Sequence, residues 1–355
     1  MKFSPRAGGY AIAMGALLLL GACGGGTSSA GITPATGTST DRPATRAAGG
    51  SSGGSGFLII TEPDGLAQYD IKSGSLKPLI TPSEPNAYML DPAVSADNAS
   101  IAYVVQPPPV VNGTKYDAGS DLWVANRDGS GQHAVFTHDT PNQLVRFPQW
   151  EDAGHILAVV QEIGTANGIT SVTYTMERID ISNGQRSKLV ENVLALGVSA
   201  DGKRAVYAKL APQTGETLNA SDVGVSASTV LVGLDQNLSP FNSPRYSPDG
   251  KTIAFASADQ TGARADIRYV SAAPASDGAA ALDGLPEDIW TIDAAGGTAQ
   301  RVAELKEDLP ALAWSGDGKH LYVVGAAGLY DVNLTNGAKT RLGDGSFHAQ
   351  IAWAQ

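Results

Sequence analysis

Apolar and polar residues alternate in short runs beyond about residue 57 of the chain, and turn-forming residues separate these runs. Residues 242–257, NSPRYSPDGKTIAFAS, show the arrangement most clearly, with an approach strand, a four-residue turn and a second alternating strand. Each turn residue has a conformational reason. Pro248 fixes φ at the second turn position, Asp249 suits the third, and Gly250 tolerates the positive φ that lets strand pairing resume. The pattern predicts a β-hairpin.

The same hairpin pattern returns at four other places along the chain, at residues 91–105, 147–161, 196–209 and 309–324. A second pattern, an apolar strand that runs into an Asn/Asp/Gly turn, covers residues 122–132, 176–186, 289–300 and 329–340. Each repeat therefore predicts two hairpins, which is four strands. Because no segment of the repeat region has the periodicity of an ordinary helix, the fold class is predicted to be all-β.

The spacing of the repeats indicates their architecture. The residues that begin the equivalent turns lie about 48 to 68 residues apart, and they are Ser95, Glu151, Ser199, Ser247 and Ser315. Repeats of this length with four strands each are typical of the blades of a β-propeller, and the longer periods need only a loop insertion.

The two ends of the repeat region predict how the ring closes. Residues 348–355, HAQIAWAQ, match the approach strand of the repeat, with Trp353 in the place of Trp314. Residues 57–61, FLIIT, match the strand that should follow it, and two further strands are expected at residues 66–71 and 76–81. One blade shared by the chain ends and five internal blades predict a closed six-bladed propeller without a free inner sheet edge.

The hairpin repeats resemble those of a known family. Residues 246–255, YSPDGKTIAF, and the outer hairpin at residues 122–131 are similar to the WD-like repeats of the TolB-type six-bladed β-propeller family. The resemblance covers residues 57–355 and implies the fold. It leaves the function open, because such repeats occur in scaffolds, in solute binders and beside peptidase domains. Members of this family can carry an N-terminal α/β domain, which this chain is not expected to contain.

The start of the chain has the three regions of a bacterial secretion signal. Residues 1–22 contain Lys2 and Arg6, then an apolar run over residues 11–20 that is short for a membrane-spanning helix, then small residues before Cys23. The segment LGAC resembles the bacterial lipobox, which implies that Cys23 is diacylated and becomes the new N-terminus. The alternative is a signal peptide followed by an incidental cysteine, although the chain has no other cysteine.

Residues 23–56 consist almost entirely of Gly, Ser, Thr, Ala and Pro, which predicts a flexible tether between the lipid and the domain at residues 57–355. We therefore expect an exported lipoprotein anchored to the cell envelope. In a cell with two membranes the lipoprotein sorting rule implies the periplasmic leaflet of the outer membrane, because Gly24 rather than Asp follows the cysteine. In a cell with one membrane we expect the outer face of the cytoplasmic membrane.

Differences in connection length indicate where a partner would bind. The turns within the SPDG-like hairpins are short in every copy, so the face that they form, here called the turn face, is predicted to be plain. The connections between second and third strands lie on the opposite, long-loop face; they are predicted to be long at residues 106–120, 162–171, 210–227 and 258–287, and short at residues 62–65 and 325–328. Binding surfaces are usually built from such loops on a rigid scaffold. The alternative is neutral drift in loop length.

The charge of the chain limits the classes of partner. The net charge is −11, and the predicted loops are themselves acidic, so nucleic acid is not expected as a partner. We expect an envelope protein or a small polar solute, together with the lipid membrane at Cys23, and a monomeric chain. The candidate contact residues on the long-loop face are Tyr116, Asp117, Arg264, Asp266 and Tyr269.

Candidate chemistry is sparse. No catalytic set is recognised, no cofactor is predicted, and the repeated aromatic residues at strand positions are expected to pack between blades. The histidines lie in or near turns, although histidines of different blades could meet at the propeller axis; they are His133, His138, His155, His320 and His348. Two hypotheses follow: a non-enzymatic protein- or solute-binding scaffold, or a hydrolase or lyase with a carboxylate or metal site at the axis.

Overall fold

The computed structural model describes residues 56–84, 87–107, 119–166, 169–211, 215–261, 285–344 and 351–354, without the side chains of residues 165, 166, 169, 170 and 344. Most of this part of the chain is β-strand, and a single 3-10 turn forms at Leu234–Gln236. None of the described residues belongs to a helix that is long and apolar enough to cross a membrane. The predicted signal peptide and nearly all of the predicted tether, including Cys23, lie outside the described residues.

The strands form six four-stranded antiparallel sheets, which are the blades of the predicted six-bladed propeller. Blade 1 contains β1 (Phe57–Glu62), β2 (Gly65–Asp70) and β3 (Leu76–Ile80). Blade 2 contains β4 (Tyr88–Val94), β5 (Ser100–Gln106), β6 (Asp121–Asn126) and β7 (His133–Phe136). Blade 3 contains β8 (Gln143–Trp150), β9 (His155–Ala166), β10 (Ile169–Asp180) and β11 (Arg186–Glu191).

The second half of the ring repeats this order. Blade 4 contains β12 (Val193–Val198), β13 (Arg204–Ala211), β14 (Gly215–Asp222) and β15 (Thr229–Val232). Blade 5 contains β16 (Asn242–Tyr246), β17 (Thr252–Ser257), β18 (Glu287–Asp293) and β19 (Gln300–Glu307). Blade 6 contains β20 (Ala311–Trp314), β21 (His320–Val324), β22 (Gly328–Asn333) and β23 (Lys339–Asp344), and β24 (Ala352–Ala354) completes blade 1. The first strands of neighbouring blades contact one another and surround the axis.

Closure of the ring occurs as the sequence predicts. Strand β24 pairs antiparallel with β1 in the register Phe57↔Ala354, Leu58↔Trp353 and Ile59↔Ala352. Trp353 stacks on Tyr322 of blade 6, with ring centroids 5.4 Å apart and an angle of 5° between the planes. The shortest strand of the ring therefore both completes blade 1 and packs against blade 6.

The hydrophobic core is divided among the six interfaces between blades. Alternate side chains of each strand face the neighbouring blade, and each of the six apolar clusters combines residues from two adjacent blades. Between blades 4 and 5, for example, Phe241 and Phe255 pack with ring centroids 5.6 Å apart. The indole N–H groups of Trp150 and Trp314 donate to the carbonyls of Ala93 and Arg245 on the preceding blades. These repeated aromatic residues pack between blades, as predicted.

Four of the five predicted hairpin turns share one hydrogen-bond pattern. In the turn of blade 5, Ser247 Oγ donates to Asp249 Oδ1 at 2.7 Å and accepts the amide of Thr252 at 3.0 Å, and Asp249 Oδ1 accepts the amide of Lys251. The turns that begin at Ser95, Ser199 and Ser315 repeat these bonds. The turn at Glu151 is one residue shorter, and its glutamate instead pairs with Arg178 at 2.5 Å.

The predicted long connections are partly wrong. Residues 210–227 are not a loop, because they contain β14, the third strand of blade 4. Its sequence, GETLNASD, is too polar to show a strand pattern, although Leu218 is fully buried. Residues 162–171 are also mostly strand, since β9 and β10 stay paired as far as Ala166 and Ile169. Only blades 2 and 5 keep long connections, at residues 107–120 and 258–286, parts of which lie outside the described residues.

Candidate functional site

The residues that the sequence proposes as contacts lie outside the described part of the chain. This holds for Tyr116, Asp117, Arg264, Asp266 and Tyr269, as it does for Cys23. The structure does describe the stems from which the two long connections rise and the surface around them.

The stem of the blade 5 connection is fixed by two buried carboxylates at the start of β18. Asp288 Oδ1 accepts the amides of Leu305 and Lys306 at 3.0 and 3.2 Å, and Arg301 Nη1 donates to Asp288 Oδ2 at 3.1 Å. Glu287 Oε1 accepts the side-chain amide of Asn242 at 2.6 Å. The end of the long connection is therefore held to the inner and outer strands of its blade.

The stem of the blade 2 connection is fixed in the same manner. Ser120 Oγ accepts the amide of Val145 at 2.9 Å and donates to its carbonyl at 3.0 Å, which joins blade 2 to blade 3. Asp121 Oδ1 accepts the amide of His138 at 2.9 Å and lies 2.6 Å from its Nδ1. Both long connections thus rise from stems tied by side chain to neighbouring strands.

Between these two stems, blade 3 carries a projecting hairpin. Strands β9 and β10 are 12 residues each, whereas β17 has 6, and their additional pairs lie on the long-loop side. Strand β9 is four residues longer than β13 and six longer than β17, which at roughly 3.3 Å per residue is an excess of about 13–20 Å. Glu162 in this extension accepts a hydrogen bond from Gln143 Nε2 at 2.9 Å. The segment that the sequence assigns to a loop therefore consists mostly of paired β-strand.

Large apolar side chains are exposed on the long-loop face. Tyr88 is 44% exposed, Val172 39%, Leu234 49% and Leu309 42%. The chain crosses from one blade to the next on this face, after the fourth strand of each blade. Val172 lies on the projecting hairpin, and the other three residues lie in or directly beside such crossings. Single exposed apolar residues are common on protein surfaces. Three other large apolar side chains are similarly exposed elsewhere on the domain, namely Leu76, Val225 and Val230.

Several acidic residues that the sequence places in loops belong to strands, and some of them accept hydrogen bonds from the backbone. Glu216 is 4% exposed and accepts the amide of Phe241 at 2.7 Å. Glu307, which the sequence does not single out, accepts the hydroxyl of Tyr330 and the amide of Ala327. Asp222 ends β14 on the turn face, because β14 is a strand rather than part of a loop. The acidity of the long-loop face is thus partly that of buried, hydrogen-bonded carboxylates.

Among the described residues, the axis of the propeller carries the buried carboxylate of Asp91 and two arginines. Asp91 is 1% exposed and accepts hydrogen bonds from Arg146 Nε at 2.6 Å and from the amide of Phe147 at 3.1 Å. Arg245 donates from Nη1 to the carbonyls of Leu196 and Pro244, and burial lowers the pKa of Arg245 to about 10. The Asp91 carboxylate is therefore already engaged by a side chain and a backbone amide of the neighbouring blade.

The described histidines each bind a group of their own blade. His320 lies 2.7 Å from Asp331 and His155 lies 2.9 Å from Asp152, while His133 Nδ1 lies 2.9 Å from the carbonyl of Gly131. Within the described residues they do not meet at the axis, and no group of three or more His, Cys, Asp or Glu residues is placed to hold a metal ion. His348 lies outside the described residues.

The turn face is less plain than the sequence predicts. A cleft with a volume of about 620 Å³ opens between blades 5 and 6 on this face. Two turns line it, with Asp249 and Asp317 among their residues, and Thr252, Trp314 and Leu334 contribute to its walls. The sequence could not show this cleft, because its walls come from two different blades.

Comparison with known proteins identifies the fold alone. No protein-family model matches the chain, and a search of curated proteins finds no match. The structure is similar to TolB from Acinetobacter baumannii over 86% of this chain and 67% of that one, with a TM-score of 0.56 and 16% identity. It is also similar to a protein assigned as TolB from Agrobacterium tumefaciens over 83% of this chain and 91% of that one, with a TM-score of 0.51 and 15% identity. The chain is therefore a TolB-like six-bladed β-propeller in fold.

Proposed function

We propose that the protein is a membrane-anchored envelope lipoprotein whose propeller binds a protein or a polar solute through its long-loop face, without catalysing a reaction. The observation that carries this proposal is the anchoring of the stems of both long connections by side-chain hydrogen bonds, on the same face as a projecting hairpin. Stem residues held in this way lose less conformational freedom when a partner binds, which favours affinity. The four exposed apolar side chains around them supply contact area.

The scaffold role has more support than the enzymatic alternative. The carboxylate that the structure shows at the axis, Asp91, is already held by Arg146 and by a backbone amide. A general base needs an accessible lone pair directed at its substrate, which this arrangement does not offer. Metal analysis of the purified protein and a screen with glycans and lactones would test the alternative. Bound metal together with turnover would overturn the scaffold proposal.

Site-specific photo-cross-linking in producing cells tests the binding face. A photo-reactive residue at Val172, which is 39% exposed on the projecting hairpin, should give a discrete cross-linked product. Val225 is the matched control, since it is the same residue type, is 47% exposed and lies in the β14–β15 connection on the turn face. Equal products from Val172 and Val225, or products from Val225 alone, would contradict the proposal.

Replacing the blade 5 connection, residues 258–286, with the short Gly-Ala-Ala connection of blade 6 tests the loop itself. The shortened variant should keep its cooperative unfolding transition and lose most of the Val172 product. An unchanged product in a folded variant would exclude this loop from the contact.

The anchor is proposed separately from the binding face. Two acyl chains at about 0.8 kcal/mol per buried CH₂ hold a protein on a membrane almost permanently. The Cys23→Ser variant should therefore move from the membrane fraction to the soluble fraction. Retention of this variant in the membrane fraction would contradict lipidation at Cys23.

A further inference from the structure

The gap between blades 4 and 5 on the turn face is filled by an arginine of the chain itself. Arg204, the first residue of β13, places its guanidinium carbon 4.9 Å from the centre of the Tyr246 ring on blade 5. Its Nη2 donates to the carbonyl of Gly250 at 2.6 Å. The nearby Asp201 has a lowered pKa, first because Ser199 donates a hydrogen bond to it and also because of the charges on Lys203 and Arg204. This site holds a guanidinium by stacking, hydrogen bonding and charge.

The gap between blades 5 and 6 has equivalent walls but a short side chain in place of the arginine. Arg204 stands five residues after its turn serine, Ser199, and the same position after Ser247 is Thr252. Trp314 corresponds to Tyr246, since each directly precedes a turn serine, and Gly318 corresponds to Gly250. Thr252, Trp314 and Gly318 all line the cleft of about 620 Å³. By this correspondence of positions, the cleft lies where the Arg204 guanidinium lies one blade earlier, and Trp314 is 8% exposed.

The charges around this cleft favour a cation. Asp249, the counterpart of Asp201, lines it from blade 5, and Asp317 lines it from blade 6. The pKa values of both carboxylates are lowered, in each case first by the hydrogen bond from the turn serine. Lys251 lies 3.8 Å from Asp249, but its side chain is 82% exposed and can move away. Both carboxylates are thus ionised at neutral pH beside an aromatic wall.

We propose that the cleft between blades 5 and 6 binds an arginine side chain of a polypeptide partner, stacked over Trp314 and hydrogen-bonded to the carbonyl of Gly318. Lysine fits less well, because its ammonium lacks the planar surface that stacks on an aromatic ring and donates to a carbonyl at the same time. The cleft also reaches outward to Val302 and Leu334. These apolar side chains can cover the residues that flank an arginine in a peptide, which free arginine does not have.

Not every gap between blades repeats this arrangement. Blade 3 also has a tryptophan before its turn, Trp150, but that turn is one residue shorter and lacks the serine. At blades 2 and 4 the residues before the turn serine are Val94 and Val198, which offer no ring. Within the described residues, the arginine–ring contacts involve Phe147, Phe136, Tyr246, Trp290 and Tyr330, and Trp314 is not among the rings they cover.

Calorimetric titration with short blocked peptides tests the proposal. An Ac-Gly-Arg-Gly-amide peptide should bind one site with a dissociation constant on the order of 0.1–1 mM at low salt. The lysine peptide should bind at least about five-fold more weakly, and the citrulline peptide, which keeps the shape but not the charge, should not bind. The indole N–H resonance of Trp314 should shift on titration with the arginine peptide. Equal binding of arginine and lysine peptides would overturn the proposal, and equal binding of free arginine would overturn its polypeptide part.

Two substitutions at equivalent positions sharpen the test. Thr252→Arg supplies the guanidinium within the chain and should abolish peptide binding, whereas Arg204→Thr opens the gap between blades 4 and 5 and should raise the stoichiometry from one site to two. Both variants are compared with the parent protein by their unfolding transitions. If Thr252→Arg folds and still binds as the parent does, the site is wrong.

A substitution that removes a charge without filling the cleft gives an independent test. Asp317→Asn should weaken binding about three- to ten-fold, and Asp97→Asn, in the equivalent turn of blade 2, should leave it unchanged. Equal effects of both would indicate a general charge effect and overturn the assignment. Replacing the loop at residues 258–286 should not affect peptide binding, so this result is separate from the test of the long-loop face.

Discussion

Gly202 and Gly337 show how the same backbone conformation can have different costs in two hairpin turns. Both have positive φ, 72° and 69°, where residues with a Cβ are strained by about 1–2 kcal/mol. A Cβ on Gly202 would also lie 1.7 Å from the carbonyl oxygen of Glu151 on the neighbouring blade, whereas one on Gly337 would meet nothing within 4 Å. Gly202 therefore fixes how closely blades 3 and 4 approach.

We expect Gly337→Ala to lower the free energy of unfolding by about 1–2 kcal/mol, which is the backbone cost alone. Gly202→Ala should cost clearly more, because blade 3 must also move away. Urea unfolding followed by circular dichroism measures both. Equal losses in the two variants would show that the contact with Glu151 does not constrain the interface.

At the axial pair of Asp91 and Arg146, we expect substitutions of the two partners to cost different amounts of stability. The Asp91 side chain is fully buried, whereas 34% of the Arg146 side chain is exposed. Arg146→Met should therefore lower the free energy of unfolding by about 3 kcal/mol, since it leaves a buried carboxylate without its counter-charge. Asp91→Asn should cost less, because the amide still accepts a hydrogen bond and asparagine tolerates the φ of 52° found there. A larger loss in Asp91→Asn than in Arg146→Met would contradict this account.

At the scale of the element, the serine-aspartate turns give the fold a specific pH dependence. The pKa values of Asp97, Asp201, Asp249 and Asp317 are lowered, first by the serine hydroxyl and then by a backbone amide. A carboxylate with a lower pKa in the folded chain stabilises the fold above its unfolded pKa of about 3.9, and this contribution is lost as the pH falls through the folded value.

Replacing these four aspartates with asparagine should therefore flatten the loss of stability between about pH 4 and pH 2, as measured by urea midpoints. Removing only the first donor, as in Ser247→Ala, should flatten the profile in the same direction by a smaller amount. Burial raises the pKa values of Glu62 and Glu177, so these two groups favour the fold at low pH and oppose the effect of the aspartates. The pH profile of each variant is therefore compared with that of the parent protein. Profiles of identical slope would refute the role of the turns.

The sequence predicts those elements whose turn residues carry their own conformational reason. Gly250 and its equivalents mark the hairpins because local chain geometry requires them, and counting these turns gives five blades, to which the matching chain ends add the sixth. Strand β14 is missed because its burial depends on neighbouring strands, so a polar strand sequence becomes part of the core. The cleft at Trp314 is missed for a related reason. Arg204 looks like an ordinary first residue of a strand until packing places it on the Tyr246 ring of the next blade.

At the scale of the whole molecule, stability depends on closure. Because each apolar cluster lies between two blades, blade 1 contributes to two interfaces, and both include contacts of β24: Trp353 packs against blade 6, and Ala354 against blade 2. Deleting residues 351–355 should lower the melting temperature by more than about 10 °C and broaden the calorimetric transition. A chain that begins at Gly56 is the control and should melt as the full chain does. Equal melting of the two truncated chains would show that β24 does not stabilise the ring.

The pairing of β1 with β24 also has a consequence for biosynthesis. Every strand between them is translated before Ile59 can meet Ala352. At a synthesis rate of 5–20 residues per second, β1 waits roughly 15–60 s for its partner. During that time its apolar sequence FLIIT is an unpaired strand edge, and such edges associate readily with other chains. A chaperone that binds short apolar segments would find a target at the front of the nascent domain.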